Sequence, residues 1–157
     1  MKSKIILGVF LVIAGLQLFQ IDKTNPESDP SLDFIYITNP PAEVGIMLKE
    51  ACYDCHSYKT KYPWYTFTQP LGWWIEEHIE HGRDELNFSE WGSYSERRAD
   101  HKLEESSELV LEEEMPLPSY LKAHSEARLT SDQRKQLASW FDQVRETMKA
   151  DTSSSSH

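Results

Sequence analysis

The chain has 157 residues and a formal net charge of −10, with 27% of its residues charged. That length suits one domain plus an N-terminal segment and leaves little room for two. The acidic balance excludes a generic grip on nucleic acid phosphates, since no basic patch offsets it. Hydrophobic residues make up only 39% of the chain. Many of them fall in the first twenty positions, so the rest has a modest core that would gain from a buried apolar group.

Met1 to Lys4 forms a basic start, and Ile5 to Phe19 is apolar apart from Gln17. This pattern is a secretory signal or a short membrane anchor. An Ala-x-Ala cleavage site and a lipidation cysteine are both missing, which favours an uncleaved anchor over residues 1–21. Lys2 and Lys4 then place the N-terminus in the cytoplasm and export the remainder. Residues 22–38 read as a polar linker, Asp22 to Ser31, followed by an extended apolar segment, Leu32 to Thr38, lying over the domain.

A domain is expected over residues 39–149 and a disordered tail over 150–157. Asn39 as N-cap and Pro40 at the first helical position open a helix whose Val44, Met47, Leu48 and Ala51 share one face. An aromatic loop, Tyr58 to Gln69, leads to Pro70 and a second helix through Leu71, Trp74, Ile75, His78 and Ile79, with Gly82 as its stop. A second aromatic loop spans Asn87 to Tyr94. Ser95 caps a third helix with Ala99, Leu103, Leu109 and Val110 inward, ended by Pro116 and Pro118. A short turn or helix covers Ser119 to His124. Thr130 and Gln133 form a capping box for the last helix, with Leu137, Trp140, Phe141, Val144 and Met148 as its stripe. No strand alternation, repeat or Gly-rich phosphate loop is present, so the domain is expected to be mainly α-helical.

The two cysteines stand in Cys52-Tyr53-Asp54-Cys55-His56. Two thiols three positions apart reach the two vinyl groups on one edge of a haem, and the next histidine supplies an imidazole to the iron. The spacing therefore points to one covalently bound haem c. A thioredoxin-like redox pair would want a βαβ context, half a zinc site would want further ligands, and a lone disulfide is the remaining alternative.

Met115, held between a helix and the rigid Pro116-Leu117-Pro118 loop, is the expected sixth ligand; otherwise it fills the core. His78, His81 and His124 are the rivals, His78 and His81 sharing a helix face. His101 reads as solvated, and His157 lies in the tail. Arg83 is a candidate partner for a haem propionate, or pairs at the surface with Asp84 or Glu80. Trp64, Trp73, Trp74 and Trp91 are expected to wall the pocket or to serve as ordinary core.

Beyond this motif lie Tyr62-Pro63-Trp64-Tyr65, Pro70, Trp74, His78, Gly82-Arg83 and Leu86-Asn87-Phe88-Ser89-x-Trp91. A further block runs Met115-Pro116-Leu117-x-x-Tyr120-x-x-x-His124-x-x-Ala127-x-Leu129-Thr130 and ends at Leu137-x-x-Trp140. Together these strings resemble the small haem-binding domain family of bacterial c-type cytochromes, over about Met47 to Trp140. The resemblance implies a helical, haem-c-binding module of the periplasm, a small cytochrome c-like bundle around one haem, and no particular reaction. Its Met-Pro block supports Met115, and its His78 and His124 keep the rivals open.

The functional expectation is an electron carrier anchored to the outer face of a bacterial cytoplasmic membrane, exchanging electrons with redox partner proteins. The alternative is a haem enzyme or gas sensor with an open or displaceable sixth site. A zinc or disulfide interaction module is the third option.

Overall fold

The structure, a computed structural model, describes residues 2–155. Met1, Ser156 and His157 lie outside the described residues, and so do parts of the expected basic start and tail. Among the described residues there are six α-helices and no strand. They are α1 Lys2–Leu16, α2 Phe34–Thr38, α3 Ala42–Ala51, α4 Leu71–Glu85, α5 Glu96–Leu111 and α6 Ser131–Ser155. Short 3₁₀ turns fill the connections.

The segment expected to be an anchor forms α1, whose side chains are exposed along nearly its whole length. It has 15 residues, and no described helix is long and apolar enough to cross a membrane. The expected tail is corrected in part, because α6 runs on to Ser155.

The core lies between α3, α5, α6 and the 3₁₀ turn Phe88–Ser93. Leu48, Leu103, Leu137 and Phe141 are buried there, and α5 and α6 pack along their length. Phe34 is 0% exposed and packs against Phe88 and Phe141, meeting Trp91 edge-on at 4.9 Å. The expectation of an extended Leu32 to Thr38 is therefore wrong. Asp33 accepts the amide of Ile35 at 3.0 Å and starts α2, which plugs Phe34 into the core. Trp91, expected at a pocket wall or in the core, lies in the core.

Two helix ends also differ from expectation. Asn39 is the C-cap of α2, at φ 44, and α3 begins after Pro41. Asparagine tolerates that left-handed conformation because its short polar side chain hydrogen-bonds locally. The end of α5 comes before the prolines. Glu113 sits at φ 64, and the amides of Glu113 and Glu114 return to the carbonyls of Val110 and Leu109. This is a Schellman closure with glutamate where glycine is usual.

The Thr130 box forms as expected, with reciprocal bonds to Gln133 of 2.8 and 3.2 Å. Ser95 caps α5 through the amide of Arg98. Buried Arg134 follows on α6 and donates to the carbonyls of Val110 at 2.9 Å and Met115 at 2.7 Å. A cation from α6 thereby pins the Met115-Pro116 loop to the end of α5.

Candidate functional site

Helix α3 delivers the motif. Its C-cap is Cys52, and the next residues make a tight turn in which the amide of His56 donates to the carbonyl of Cys52 at 2.9 Å. The two central residues bolt this turn in place on opposite sides. Tyr53 stacks on Phe88 at 5.3 Å and donates its hydroxyl to Asp33 at 3.0 Å. Asp54 accepts from the Tyr120 hydroxyl at 2.8 Å and from the Lys61 amide at 3.0 Å.

Helix α4 closes over the other face. A Cβ added at Gly82 would stand 2.9 Å from the carbonyl oxygen of Cys55. The helix continues through Gly82 to Glu85, which corrects its reading as a stop. Glycine is needed there for close approach of backbones, not for termination.

That approach brings two carbonyls to His56. Its Nδ1 lies 2.8 Å from the oxygen of Gly82 and 3.1 Å from that of Leu86. Carbonyl oxygens only accept, so Nδ1 carries the proton and the lone pair belongs to Nε2. Burial holds the imidazole below its usual pKa, which keeps it neutral. Both cysteines are free and partly buried. Burial pushes the Cys52 thiol up to about 12 and that of Cys55 up to about 11. Protonated thiols are poor disulfide-exchange nucleophiles. No three His, Cys, Asp or Glu gather into an ion-binding group among the described residues. The donor set fits a haem: one neutral imidazole with a free ring nitrogen, and two thiols set in apolar surroundings.

Beside Cys55 lies a mostly apolar cavity of about 320 Å³, walled by Ile75, Ile79, Trp74, Leu117, Tyr120 and His124 among others. His78 also lines it, and its Nδ1 donates to the Trp74 carbonyl at 2.7 Å. His124 stacks on Tyr120 at 4.0 Å. It meets the Glu126 carboxylate through Nδ1 at 3.0 Å and the Tyr65 hydroxyl through Nε2. His81 is exposed.

Met115 sits elsewhere, half-buried against the core cluster that Cys52 also touches. Trp140, beside that cluster, has a buried Nε1 with no partner among the described residues. Of the tryptophans, Trp74 reaches the cavity, whereas Trp64 is 78% exposed and forms no part of its wall. Trp73 donates to the Phe19 carbonyl at 2.9 Å.

Arg83 pairs with neither Asp84 nor Glu80. It donates to the Ser57 carbonyl at 2.9 Å and, at 3.0 Å each, to Thr60 and Asn25. Asn25 in turn donates to the Thr60 carbonyl at 2.9 Å. The segment read as a polar linker is thus pinned to the turn that follows the motif.

Sequence reasoning missed the parts played by Tyr53, Asp54, Tyr65 and Arg134. Only Tyr65 carried a signal, as a member of the aromatic string.

No curated protein and no solved structure matches the chain. The model of the haem-binding domain family matches residues 11–143, taking in the cysteine–histidine turn, the cavity and the Met-Pro loop, and this protein belongs to that family.

Proposed function

We propose that the protein binds one haem c covalently, with Cys52 and Cys55 as the attachment thiols and His56 Nε2 as the iron ligand. It would serve as an electron-transfer protein tethered to the periplasmic side of a bacterial cytoplasmic membrane. The observation that carries this reading is the His56 ring, locked by two carbonyls through Nδ1 and neutral, next to two uncommitted thiols. Bound haem would supply one-electron exchange at the iron. The chain's part is to hold the imidazole in one tautomer, keep water off the cavity walls and fix the sixth position.

For that sixth position Met115 is the first assignment. Its loop is stiffened by Pro116 and tied down by Arg134. His124 and His78 are rivals because they line the cavity, while His81 and the propionate role of Arg83 have the least support. The tether rests on α1 and the lysines at its start, and redox partner proteins would meet the exported domain.

A second reading, a haem enzyme or gas sensor, is favoured by the Glu126–His124–Tyr65 chain of hydrogen bonds at the cavity wall. Such a chain can move a proton at the Tyr65 oxygen.

Visible spectroscopy with haem staining after denaturation, on protein exported with haem-maturation machinery, tests both. Stain that survives denaturation, lost in Cys52→Ser with Cys55→Ser, establishes attachment. A sulfur-to-iron charge-transfer band that disappears in Met115→Ala, with a lowered potential, establishes the carrier. Rapid carbon monoxide binding by the ferrous wild type would favour the second reading. A colourless product would overturn both.

A further inference from the structure

In this acidic chain the two longest stretches without a charged side chain are residues 5–21, and residues 62–75 between Lys61 and Glu76. The fold joins them. Gln17 donates to the Gln69 carbonyl at 3.0 Å and accepts the Gln69 amide at 2.9 Å. Gln20 donates to the Phe67 carbonyl at 3.3 Å, and Trp73 holds the Phe19 carbonyl. These bonds link the foot of α1 to the aromatic turn before α4 and to the first turn of α4 itself.

The surface so assembled is apolar and uncovered. Trp64 is 78% exposed, Phe67 56%, Leu18 83% and Phe19 67%. Lys23 lies over the Phe67 ring at 4.1 Å, a cation at the edge of an aromatic face. Tryptophan and phenylalanine beside an apolar helix, with lysine at the margin, are the chemistry of the water–lipid boundary, where anionic headgroups meet amphipathic rings. Length agrees. At 15 residues, α1 reaches roughly 22 Å, less than the roughly 30 Å of bilayer hydrocarbon. A bilayer that takes in α1 must also meet what stands at its foot.

We infer that the Trp64–Trp73 turn is a lipid-docking face, seated in the headgroup boundary and locked to α1 by the Gln17–Gln69 pair. The inference rests on the membrane-tether reading and deepens it. The domain does not swing on a loose tether, because Asn25 and Arg83 pin the following segment as well. Leu71 and Trp74 belong both to the uncharged stretch and to the cavity wall, so the cavity is held near the lipid surface.

The test is photocrosslinking of the full haem-loaded chain in vesicles of phosphatidylethanolamine and phosphatidylglycerol doped with an acyl-chain diazirine phospholipid. Adducts are then mapped by mass spectrometry. Adducts in both residues 5–19 and 62–75 are expected. The double variant Gln17→Ala with Gln20→Ala, which removes the side chains that bond the Gln69 backbone and the Phe67 carbonyl, should cut those in 62–75 at least fivefold and spare those in 5–19. Adducts confined to α1 would overturn the docking face and leave the tether standing. Adducts in neither stretch would overturn the tether as well. If the double variant loses its haem spectrum, Trp64→Ser with Phe67→Ser, on the exposed face, replaces it. Unchanged adducts in 62–75 would then count against the inference.

Discussion

The Nδ1 of His56 and the carbonyl oxygen of Gly82 stand 2.8 Å apart, a contact made possible because residue 82 has no side chain. The spacing of α4 from the motif and the tautomer of the imidazole are thus set by one glycine. Replacing Gly82 with alanine sets two effects against each other. Alanine favours the helix by about 1 kcal/mol, but its Cβ would press on the Cys55 carbonyl at 2.9 Å, a backbone clash costing about 1–3 kcal/mol. The clash should win. Urea denaturation is expected to show net destabilisation and, if His56 holds the iron as proposed, the spectrum should show that bond weakened. A stabilised variant would show that the close approach is dispensable.

Arg134 gives a direct handle on the Met115 loop. Its guanidinium holds the carbonyls of Val110 and Met115 from a buried position. Charge-assisted bonds of this kind contribute about 1.5–3 kcal/mol each. Arg134→Met should destabilise by about 2–4 kcal/mol in urea titrations. Where Met115 is the sixth ligand, the sulfur-to-iron band should weaken too. A variant with full stability would remove Arg134 from this role.

Glu113 occupies a left-handed position, at φ 64, where a side chain costs roughly 1–2 kcal/mol that glycine avoids. Glycine's extra freedom in the unfolded chain takes back part of that gain. Glu113→Gly is expected to stabilise by about 0.5–1 kcal/mol, seen as a raised urea midpoint with unchanged slope. A lowered midpoint would contradict the Schellman assignment.

The pairing of α5 with α6 includes Asp100, which accepts from both Arg145 and Lys149 at 2.9 Å. These bonds, Arg145 first, hold its carboxyl below the usual carboxylate range. Its stabilising contribution is therefore complete above the unfolded value of about 3.9 and is lost as pH falls through the lower folded value. Asp100→Asn should flatten the fall in stability below about pH 4. The effect should be modest and should shrink in high salt, because the cluster is partly exposed. An unchanged acid limb in urea titrations would show that the pairs are not coupled to folding.

Features set by local chemistry were legible before the fold. The Thr130–Gln133 box, the Ser95 cap, the apolar stripes of α3 and α6 and the Cys-x-x-Cys-His spacing all depend on residues within one or two turns. What escaped depends on distant neighbours. Asn39 suits either end of a helix, and only the presence of α2, five residues long, decides for its C-terminus. Gly82 signals freedom or close approach, and only the arrival of Cys55 shows which. Arg83 was read as a charge seeking a charge, whereas three neutral oxygens brought together by folding use its donors. The burial of Phe34 escaped for a similar reason: a seven-residue apolar run does not reveal helix from extended chain. Asp54 gave no hint that Tyr120, far along the chain, would anchor it.

The bare Cα of Gly82 also implies an order of events. In the finished fold the backbone of Cys55 is pressed against α4 and both thiols are half covered. Under the proposed attachment, an enzyme that joins haem to them would need the segment open. On that reading haem goes on first, and the seating of α4 on Cys55 is the latch that follows. A chain that folds too early would keep its protonated thiols behind that latch and remain colourless. The timing of maturation relative to folding would then decide how much active protein a cell obtains.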